Sequence, residues 1–273
     1  MSTPAKALTH CLVLGCGFTG RSVARLARAA GLEVLSTVRT AARAAGLRDE
    51  GFEVLEAPSL DASIAERAHP STLVVVAFPP DGETDARIHA AFSHVAAVVY
   101  VSTVGVYGDR RGAVDDTTPL PNPPTERGKR VLDAEAAWRS VGATVLRSPG
   151  IYGPERGLHL RVTRGEHKIP GDGTRYLSRI HVDDLAALVL AASQKRGETY
   201  VVGDLSPAPH GEVVAWIAEQ YGVPLPPHVP LESVHETLRA DRRVDASRAL
   251  RELGVTLRYP TWREGMAPPP SSA

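Results

Sequence analysis

The sequence has 273 residues, 43% of them hydrophobic, which suits a soluble globular chain of one or two lobes with a full core. Its 31 Lys plus Arg balance 31 Asp plus Glu, so no net basic charge favours nucleic acid or a membrane surface. The longest apolar stretches, 73–78 and 96–101, are far shorter than the roughly 20 residues that cross a bilayer, and no signal peptide is recognisable.

The cysteine count and the polar residues exclude several further classes of site. Cys11 and Cys16 are too few for a disulfide framework or a complete cysteine metal site. No group of His, Cys, Asp and Glu has metal-ligand spacing, and no serine lies in a nucleophile elbow. The basic pair Arg242 and Arg243 is typical of a solvated face. We therefore predict a cytoplasmic protein that uses no metal and acts on a small molecule.

Apolar runs of strand length alternate with helical patterns over the first two thirds of the chain. Strands are predicted at 10–14, 33–38, 52–56, 72–78, 97–102 and 144–147, and helices at 21–30 and 125–140. The run 72–78 is so apolar that it must be buried on both faces, as strands of parallel sheets are. The alternation predicts right-handed βαβ units and a doubly wound, parallel α/β sheet.

After Tyr152 the chain becomes richer in Gly, Pro and His, and its apolar runs become shorter. One more strand is predicted at 200–202, and helices at 183–193, 209–220 and 245–253. We divide the chain into a Rossmann-type part (1–152), a mixed part with the last sheet strands and a smaller lobe (153–265), and a disordered tail (266–273).

Residues 15–20 read GCGFTG, which is the pattern G-x-G-x-x-G directly after the first strand and at the start of a helix. Gly15 permits the tight turn, Gly17 lets the backbone approach a pyrophosphate, and Gly20 lets the helix pack on the strand. The helix N-terminus attracts the phosphate charge. This context predicts dinucleotide binding by residues 1–152; the alternative is a tight turn without a ligand.

The end of the second strand indicates which dinucleotide is bound. Residues 36–40 read STVRT and lack the carboxylate that binds the ribose 2′-hydroxyl of NAD. Arg39 can instead form charge-assisted bonds to a 2′-phosphate. This favours NADP(H), with NAD still possible; the alternative is that Arg39 is a solvated charge at a strand end.

Three further segments resemble one family. Residues 101–108 (VSTVGVYG), 146–154 (LRSPGIYGP) and 179–186 (RIHVDDLA) resemble the signatures of extended short-chain dehydrogenases/reductases, the sugar-nucleotide epimerase/dehydratase group. The agreement in order and spacing spans about residues 10–260. The shorter glycine pattern and the ending 259–265 (YPTWREG) are similar to an atypical, YeeZ-type subgroup of this family.

The resemblance implies a catalytic centre from which one residue is missing. In the family, a Tyr-x-x-x-Lys pair on the helix after the fifth strand exchanges a proton with the substrate, and a Ser or Thr binds the substrate oxygen. Thr103 matches the Ser/Thr and Lys129 matches the Lys, but position 125 is Thr. An aliphatic hydroxyl is several pKa units too weak an acid to replace a Tyr phenol.

Other side chains are candidates for the missing proton donor. Tyr107 lies four residues past Thr103, where it either donates a proton to a carbonyl oxygen or forms the pocket wall. Tyr152 is a second candidate with the same alternative. His181 and Asp183 either perform acid–base chemistry or are architectural, with Asp183 capping the helix that follows.

The resemblance also implies the remaining contacts of the site. Beyond the glycines and Arg39, the residues expected to bind the cofactor are Phe18, Thr19, Phe78, Pro79, Ser102, Lys129, Pro149 and Ile151. Residues 171–173 with Arg175 are candidates for a polar substrate pocket, and Arg161 or Arg164 for a phosphate contact. A small carbonyl compound or a nucleotide-sugar is the expected substrate, and a monomer or a homodimer is the expected assembly. Two functions remain open: an NADP(H)-dependent oxidoreductase or epimerase-like enzyme, and a non-catalytic NAD(P)-binding sensor or scaffold.

Overall fold

A computed structural model describes residues 7–234 and 239–269. In chain order its strands are β1 (His10–Leu14), β2 (Glu33–Val38), β3 (Glu53–Glu56), β4 (Thr72–Val76), β5 (Ala97–Thr103), β6 (Arg111–Val114), β7 (Thr144–Ser148), β8 (Gly150–Tyr152), β9 (Ile169–Pro170), β10 (Tyr176–Leu177), β11 (Arg179–His181), β12 (Thr199–Val201), β13 (Ala208–Pro209), β14 (His228–Val229) and β15 (Asp241–Val244). Its α-helices are α1 (Phe18–Ala29), α2 (Ala41–Asp49), α3 (Thr84–Ile88), α4 (Glu126–Ser140), α5 (Leu158–Thr163), α6 (Val182–Ala192), α7 (His210–Tyr221), α8 (Ser247–Leu253) and α9 (Trp262–Met266).

Seven parallel strands form the central sheet in the order β12-β7-β5-β4-β1-β2-β3. The predicted doubly wound parallel sheet is confirmed. Strand β1 pairs with β2 on one side and with β4 on the other, so the strand order reverses at this point. Ligands of open α/β sheets bind in the crevice at the carboxyl ends of the strands next to such a reversal. The site is therefore expected just beyond β1 and β4.

The sheet is covered on both faces, and its middle strand shows this most directly. All five residues of β4 are buried, as its apolar composition predicts. Val75 packs into the cluster that contains Val23 of α1 and Leu185 of α6. Val74 packs into the opposite cluster, which contains Trp138 of α4. Alternate side chains of the strand thus meet different helices.

A smaller lobe follows β7 and is built around its own apolar cluster. That cluster includes Tyr152, Ile169, Val213 and Trp262. Met266 is 1% exposed, ends α9 and packs into the core of the lobe. The disordered tail was predicted to begin at residue 266, so its predicted start is too early in the chain. Residues 270–273 of that tail lie outside the described residues. Within the described ranges, no helix has both the length and the hydropathy needed to cross a membrane.

Some element bounds differ from the sequence-based prediction. Helix α1 begins at Phe18 instead of at residue 21, because Gly17 is its N-cap. Helix α2 was not predicted; it buries only Ala44 and Leu47 and so lacks an apolar stripe. The parallel pair β6–β15 was also missed, because its two short strands are distant in the chain.

Candidate functional site

The glycine-rich turn joins β1 to α1 and is held by the neighbouring strand. Gly15 has a φ of 86°, and a Cβ atom at this position would lie 2.8 Å from the Cβ of Phe78. The amide of Gly15 donates to the hydroxyl of Thr37 over 2.9 Å. The amide of Cys16 donates to the carbonyl of the same Thr37 over 2.7 Å. Thr37, which the sequence analysis did not single out, therefore fixes the turn to the end of β2.

The other two glycines of the motif have different surroundings. A Cβ atom on Gly20 would lie 2.7 Å from the carbonyl oxygen of Gly15, so only glycine allows this helix-to-turn approach. A Cβ atom on Gly17 would meet no heavy atom of the described residues within 4 Å. Gly17 is the N-cap of α1, which has no side-chain cap and no acidic residue in its first turn. Open space beside the free amides of a helix N-terminus fits a pyrophosphate.

Arg39 follows β2 directly and is exposed. No hydrogen bond or ion pair holds it to another residue in the described ranges. Thr40 caps α2 without a side-chain hydrogen bond, and the first turn of α2 contains the exposed Arg43 and no acidic residue. These groups form a cationic end of β2 that fits a 2′-phosphate.

Three more of the predicted cofactor contacts adjoin the turn. Phe18 is half-buried, and the guanidinium of Arg156 lies over its ring. The same ring lies close to Gly153: a Cβ atom added to Gly153 would be 3.3 Å from Cζ of Phe18. Thr19 is buried in the first turn of α1. Phe78 lies against Gly15, at the close approach described above.

The other predicted contacts lie beyond β4 and β7. Pro79 is exposed in the loop after β4. Pro149 is buried between β7 and β8, and Ile151 is half-buried within β8. These backbone segments follow the carboxyl ends of parallel strands, the edge at which ligands of this sheet type bind.

Strand β5 ends at the neighbouring residues Ser102 and Thr103, whose hydroxyls have different environments. Ser102 is buried, and its Oγ donates to Oε1 of Glu135 over 2.6 Å. Its side chain is therefore engaged inside the fold, and only its backbone is left for the predicted cofactor contact. Thr103 is half-buried and accepts the Gly105 amide over 3.0 Å. Because Thr103 uses its hydroxyl only as an acceptor here, its own proton is available to a substrate oxygen.

Tyr107 is fully buried. Its hydroxyl donates to the carbonyl of Asp115 over 3.1 Å and accepts from Nη1 of Arg147 over 3.1 Å. Arg147 also forms a buried ion pair with Glu135. Burial raises the pKa of Tyr107. Of the two alternatives for Tyr107, this geometry favours a structural role over that of a proton donor.

The first turn of α4 carries the residues that match Tyr-x-x-x-Lys. Thr125 is the N-cap, and its Oγ1 accepts the Gly128 amide over 3.0 Å. Lys129 is 62% exposed, and its Nζ lies 2.8 Å from Oδ2 of Asp133 on the helix surface. Asp133 raises the pKa of Lys129 by a hydrogen bond and by its charge. Thr125 thus supports the helix, and Lys129 is engaged by Asp133 in this conformation.

His181 and its neighbours connect the two lobes. The ring of His181 lies 3.7 Å from that of Tyr259 and 5.3 Å from that of Tyr152. Its Nδ1 accepts the Asp183 amide over 3.2 Å, so His181 caps α6; the prediction of Asp183 as the cap is wrong. Burial lowers the pKa of His181, and burial raises that of Tyr152. Among the predicted alternatives, the packing favours the architectural role for both.

Two cavities lie near the predicted substrate residues. Asp172 and Gly173 line a cavity of about 530 Å³ in the smaller lobe. Arg175 lines a different one, of about 250 Å³, beside Gly108. The sequence analysis predicted one polar pocket for residues 171–173 and Arg175. In the structure, Arg175 lines a different cavity from that of Asp172 and Gly173. Neither cavity is lined by Arg161 or Arg164.

The smaller cavity contains residues that the sequence analysis did not recognise. Arg242 is half-buried and donates to the carbonyl of Gly108, so it does not lie on the solvated face that was predicted for it. Four further arginines line the same cavity: Arg110, Arg111, Arg175 and Arg239. The pairing of β6 with β15 brings these distant segments together. A paired basic motif gives no sign of such a long-range contact.

Comparison with known proteins agrees with this arrangement. The profile of the NAD dependent epimerase/dehydratase family matches residues 84–203. Protein YeeZ of Escherichia coli K12 is 28% identical, over 91% of this chain and 95% of that protein. The solved structure of a functionally unknown conserved protein from Silicibacter pomeroyi is 31% identical, with a TM-score of 0.81 over 94% of this chain and 96% of that one.

A further solved structure, MoeE5 in complex with UDP-glucose and NAD, has the same fold. It is 23% identical, with a TM-score of 0.78 over 94% of this chain and 96% of that one. The family match, the YeeZ relationship and the Rossmann-type sheet with its glycine turn agree. Residues 84–203 thus match the NAD dependent epimerase/dehydratase family, and most of the chain is similar to YeeZ.

Proposed function

We propose that the protein is an NADP(H)-binding oxidoreductase or epimerase-like enzyme that acts on a small carbonyl compound or a nucleotide-sugar without the usual catalytic Tyr. One observation carries the proposal: the open space at Gly17, at the uncapped start of α1. Arg39 at the end of β2, which has no partner in the described ranges, supports the choice of NADP(H). A bound nicotinamide would supply or accept hydride at the carboxyl edge of the sheet.

The chain's own residues have separate roles in this proposal. Gly15, Gly17 and Gly20 accommodate the pyrophosphate, and Arg39 binds the 2′-phosphate. The further contacts are Phe18, Thr19, Phe78, Pro79, Pro149 and Ile151, with Ser102 contributing through its backbone only.

Thr103 is proposed to donate its hydroxyl proton in a hydrogen bond to the substrate oxygen, since its acceptor side already holds the Gly105 amide. Lys129 is proposed to contact the nicotinamide ribose. It must first leave Asp133, a change of rotamer that costs little because an ion pair between two exposed side chains is weak.

The second candidate is a non-catalytic sensor or scaffold that binds the same cofactor. Two observations favour it: Thr125 stands at the position of the family's Tyr, and Tyr107 is fully buried with its hydroxyl engaged. Cofactor binding is common to both candidates, so turnover distinguishes them.

The cofactor is tested by calorimetric titration of the protein with NADPH and with NADH. We expect Arg39→Ala to weaken NADPH at least tenfold, the value of one charge-assisted hydrogen bond, and to leave NADH unchanged. Arg139→Ala, at an exposed arginine in the last turn of α4, is the matched control. Equal weakening of both nucleotides by Arg39→Ala would contradict the 2′-phosphate role.

Turnover is tested by NADPH oxidation with a panel of carbonyl compounds and nucleotide-sugars. For the enzyme, Thr103→Val should lower kcat and keep the dissociation constant for NADPH. If no member of the panel is turned over while NADPH binds tightly, the sensor is favoured.

A further inference from the structure

The turn that follows β8 lies against the start of α1. Within this turn, the amide of Gly153 donates to the carbonyl of Arg156 over 2.7 Å, and the amide of Arg156 donates to the carbonyl of Gly153 over 3.1 Å. A Cβ atom added to Gly153 would lie 2.8 Å from Cγ1 of Val182 and 3.3 Å from Cζ of Phe18. Glycine at this position therefore lets the turn pack between the first residues of α6 and of α1.

The charged side chains beside this turn are balanced, with the exception of Arg156. Arg21 forms ion pairs with Glu50 over 2.6 Å and with Glu155 over 3.2 Å, and Arg25 forms one with Glu50 over 2.7 Å. These two arginines and two carboxylates cancel one another. The guanidinium of Arg156 is exposed and forms no hydrogen bond or ion pair with the residues that the structure describes. One positive charge is thus left over in this region.

The position of Arg156 beside α1 makes that charge unfavourable without a ligand. Phe18 directly follows the N-cap Gly17, and the side chains of a helix point back toward its N-terminus, where the amides have no backbone partner. Cζ of Arg156 lies 5.6 Å from the centroid of the Phe18 ring. A helix N-terminus disfavours a neighbouring cation, and an exposed cation–π contact is weak. An anion bound by both the amides and the guanidinium would remove this repulsion.

We propose that Arg156 is a further cofactor-binding residue, which contacts the diphosphate of the dinucleotide from the smaller lobe. The inference rests on the proposed function, because it adds a residue to the same cofactor site. A guanidinium presents two parallel N–H donors to phosphate oxygens, and Arg156 has no ion pair to break before it binds. NADPH and NADH share the diphosphate, so Arg156 does not discriminate between them as Arg39 does. The bound cofactor then joins the glycine turn to the smaller lobe.

Calorimetric titration of the full chain with NADPH, NADH and ADP-ribose tests this contact. We expect Arg156→Gln to weaken all three about tenfold, the value of one charge-assisted hydrogen bond, because all three carry the diphosphate. Arg156→Lys keeps a positive charge within reach of the phosphates and should weaken them roughly threefold or less. This pattern differs from that of Arg39→Ala, which is expected to weaken NADPH alone.

Glu155→Gln is the matched control, since it changes the neighbouring residue of the same turn and removes the ion pair with Arg21. The loss of a carboxylate near a bound anion should leave the three affinities unchanged or raise them. Thermal unfolding without nucleotide checks the folding of each variant. Arg156→Gln should keep the melting temperature of the wild type, because its guanidinium has no hydrogen-bond partner in the described ranges.

The outcomes separate this inference from the proposed function. Unchanged affinities in Arg156→Gln, for nucleotides that the wild type binds, overturn the inference and leave the proposed function in place. Equal weakening by Glu155→Gln, or a lower melting temperature of nucleotide-free Arg156→Gln, would assign the effect to the conformation of the turn and also overturns the inference. Weakening of NADPH alone by Arg156→Gln would place the residue at the 2′-phosphate instead. A wild type that binds none of the three nucleotides overturns both proposals.

Discussion

At the scale of single residues, two glycines of one motif are needed for different reasons. Gly20 is required by the fold, because a Cβ would press on the carbonyl oxygen of Gly15 at 2.7 Å. Gly17 has open space and a negative φ of −86°, which other residues adopt. The fold therefore does not explain Gly17. A ligand that occupies the open space does explain it.

This difference gives a paired prediction. Gly17→Ala should keep the melting temperature but weaken NADPH at least tenfold, because its methyl group occupies the space of the pyrophosphate. Gly20→Ala should lower the free energy of unfolding by about 1–3 kcal/mol, the usual cost of overpacking. Thermal unfolding and calorimetric titration of both variants measure the two effects. Unchanged NADPH affinity in Gly17→Ala would show that no phosphate lies there.

A second prediction compares two buried tyrosines. Tyr107→Phe removes hydrogen bonds to Asp115 and Arg147 and should cost about 1–2 kcal/mol of unfolding free energy, without changing turnover or NADPH affinity. Tyr152→Phe is the matched control, since its buried hydroxyl has no partner among the described residues and its loss should cost nothing. Denaturant unfolding checks both values. Lost turnover in a folded Tyr107→Phe variant would return Tyr107 to the role of proton donor.

At the scale of elements, the sequence was informative where apolar patterns are local. The strands at 10–14 and 33–38 were predicted at their observed bounds, because each is a short apolar run followed by Gly or by polar residues. The cap of α6 was assigned to Asp183 instead of His181. That role of His181 depends on rings of Tyr152 and Tyr259 from other parts of the chain, which no local pattern reveals.

The residues of the candidate site also differ in whether local sequence or long-range contacts specify them. The glycine turn and Arg39 were predicted from the sequence, since the turn has a motif of fixed spacing and Arg39 lies at the end of the strand that follows it. The arginine-lined cavity was missed because it forms only when β6 pairs with β15, more than 120 residues apart in the chain. The sequence left the role of Tyr107 open, because its position in a motif says nothing of the Arg147 that engages it.

The end of β12 supports a pH prediction. Asp204 follows this strand, is buried, and has one unpartnered carboxylate oxygen; burial raises the pKa of Asp204 to about 7. A carboxyl whose pKa is raised by folding binds more protons in the folded state. Stability therefore falls as the pH rises from about 4, the unfolded value, to about 7.

Asp204→Asn should remove this fall in stability with rising pH, because its side chain does not ionise. We expect its melting temperature to exceed that of the wild type by several degrees at pH 8, and by much less at pH 4.5. Asp172→Asn is the control, because a hydrogen bond from Thr174 lowers the pKa of this exposed carboxyl, so no gain at pH 8 is expected. A pH-independent difference between Asp204→Asn and the wild type would contradict the assignment.

At the scale of the whole molecule, the two parts of the chain are interleaved. Strand β7 lies in the sheet, β8–β11 belong to the region after it, and β12 returns to pair with β7. The last strand of the sheet thus lies beyond residue 152, inside the part predicted to be mixed. The carboxylate of Asp184 in α6 also accepts hydrogen bonds from the amides of Arg258 and Tyr259. These bonds hold the last part of the chain against a helix that packs on the central sheet. Neither part of the chain alone contains all the strands and hydrogen-bond partners that its own elements use.

Interleaving predicts a single cooperative unfolding transition that the cofactor shifts as a whole. A ligand at 100 times its dissociation constant adds about 2.7 kcal/mol, which for a chain of this size raises the melting temperature by roughly 5–10 °C. NADPH should produce that shift at a lower concentration than NADH, and Gly17→Ala should reduce the shift by about half or more at the same NADPH concentration. Calorimetric scanning with and without each nucleotide measures this directly. Two transitions, with only the first shifted, would show that the lobes unfold independently and that the cofactor contacts one of them alone.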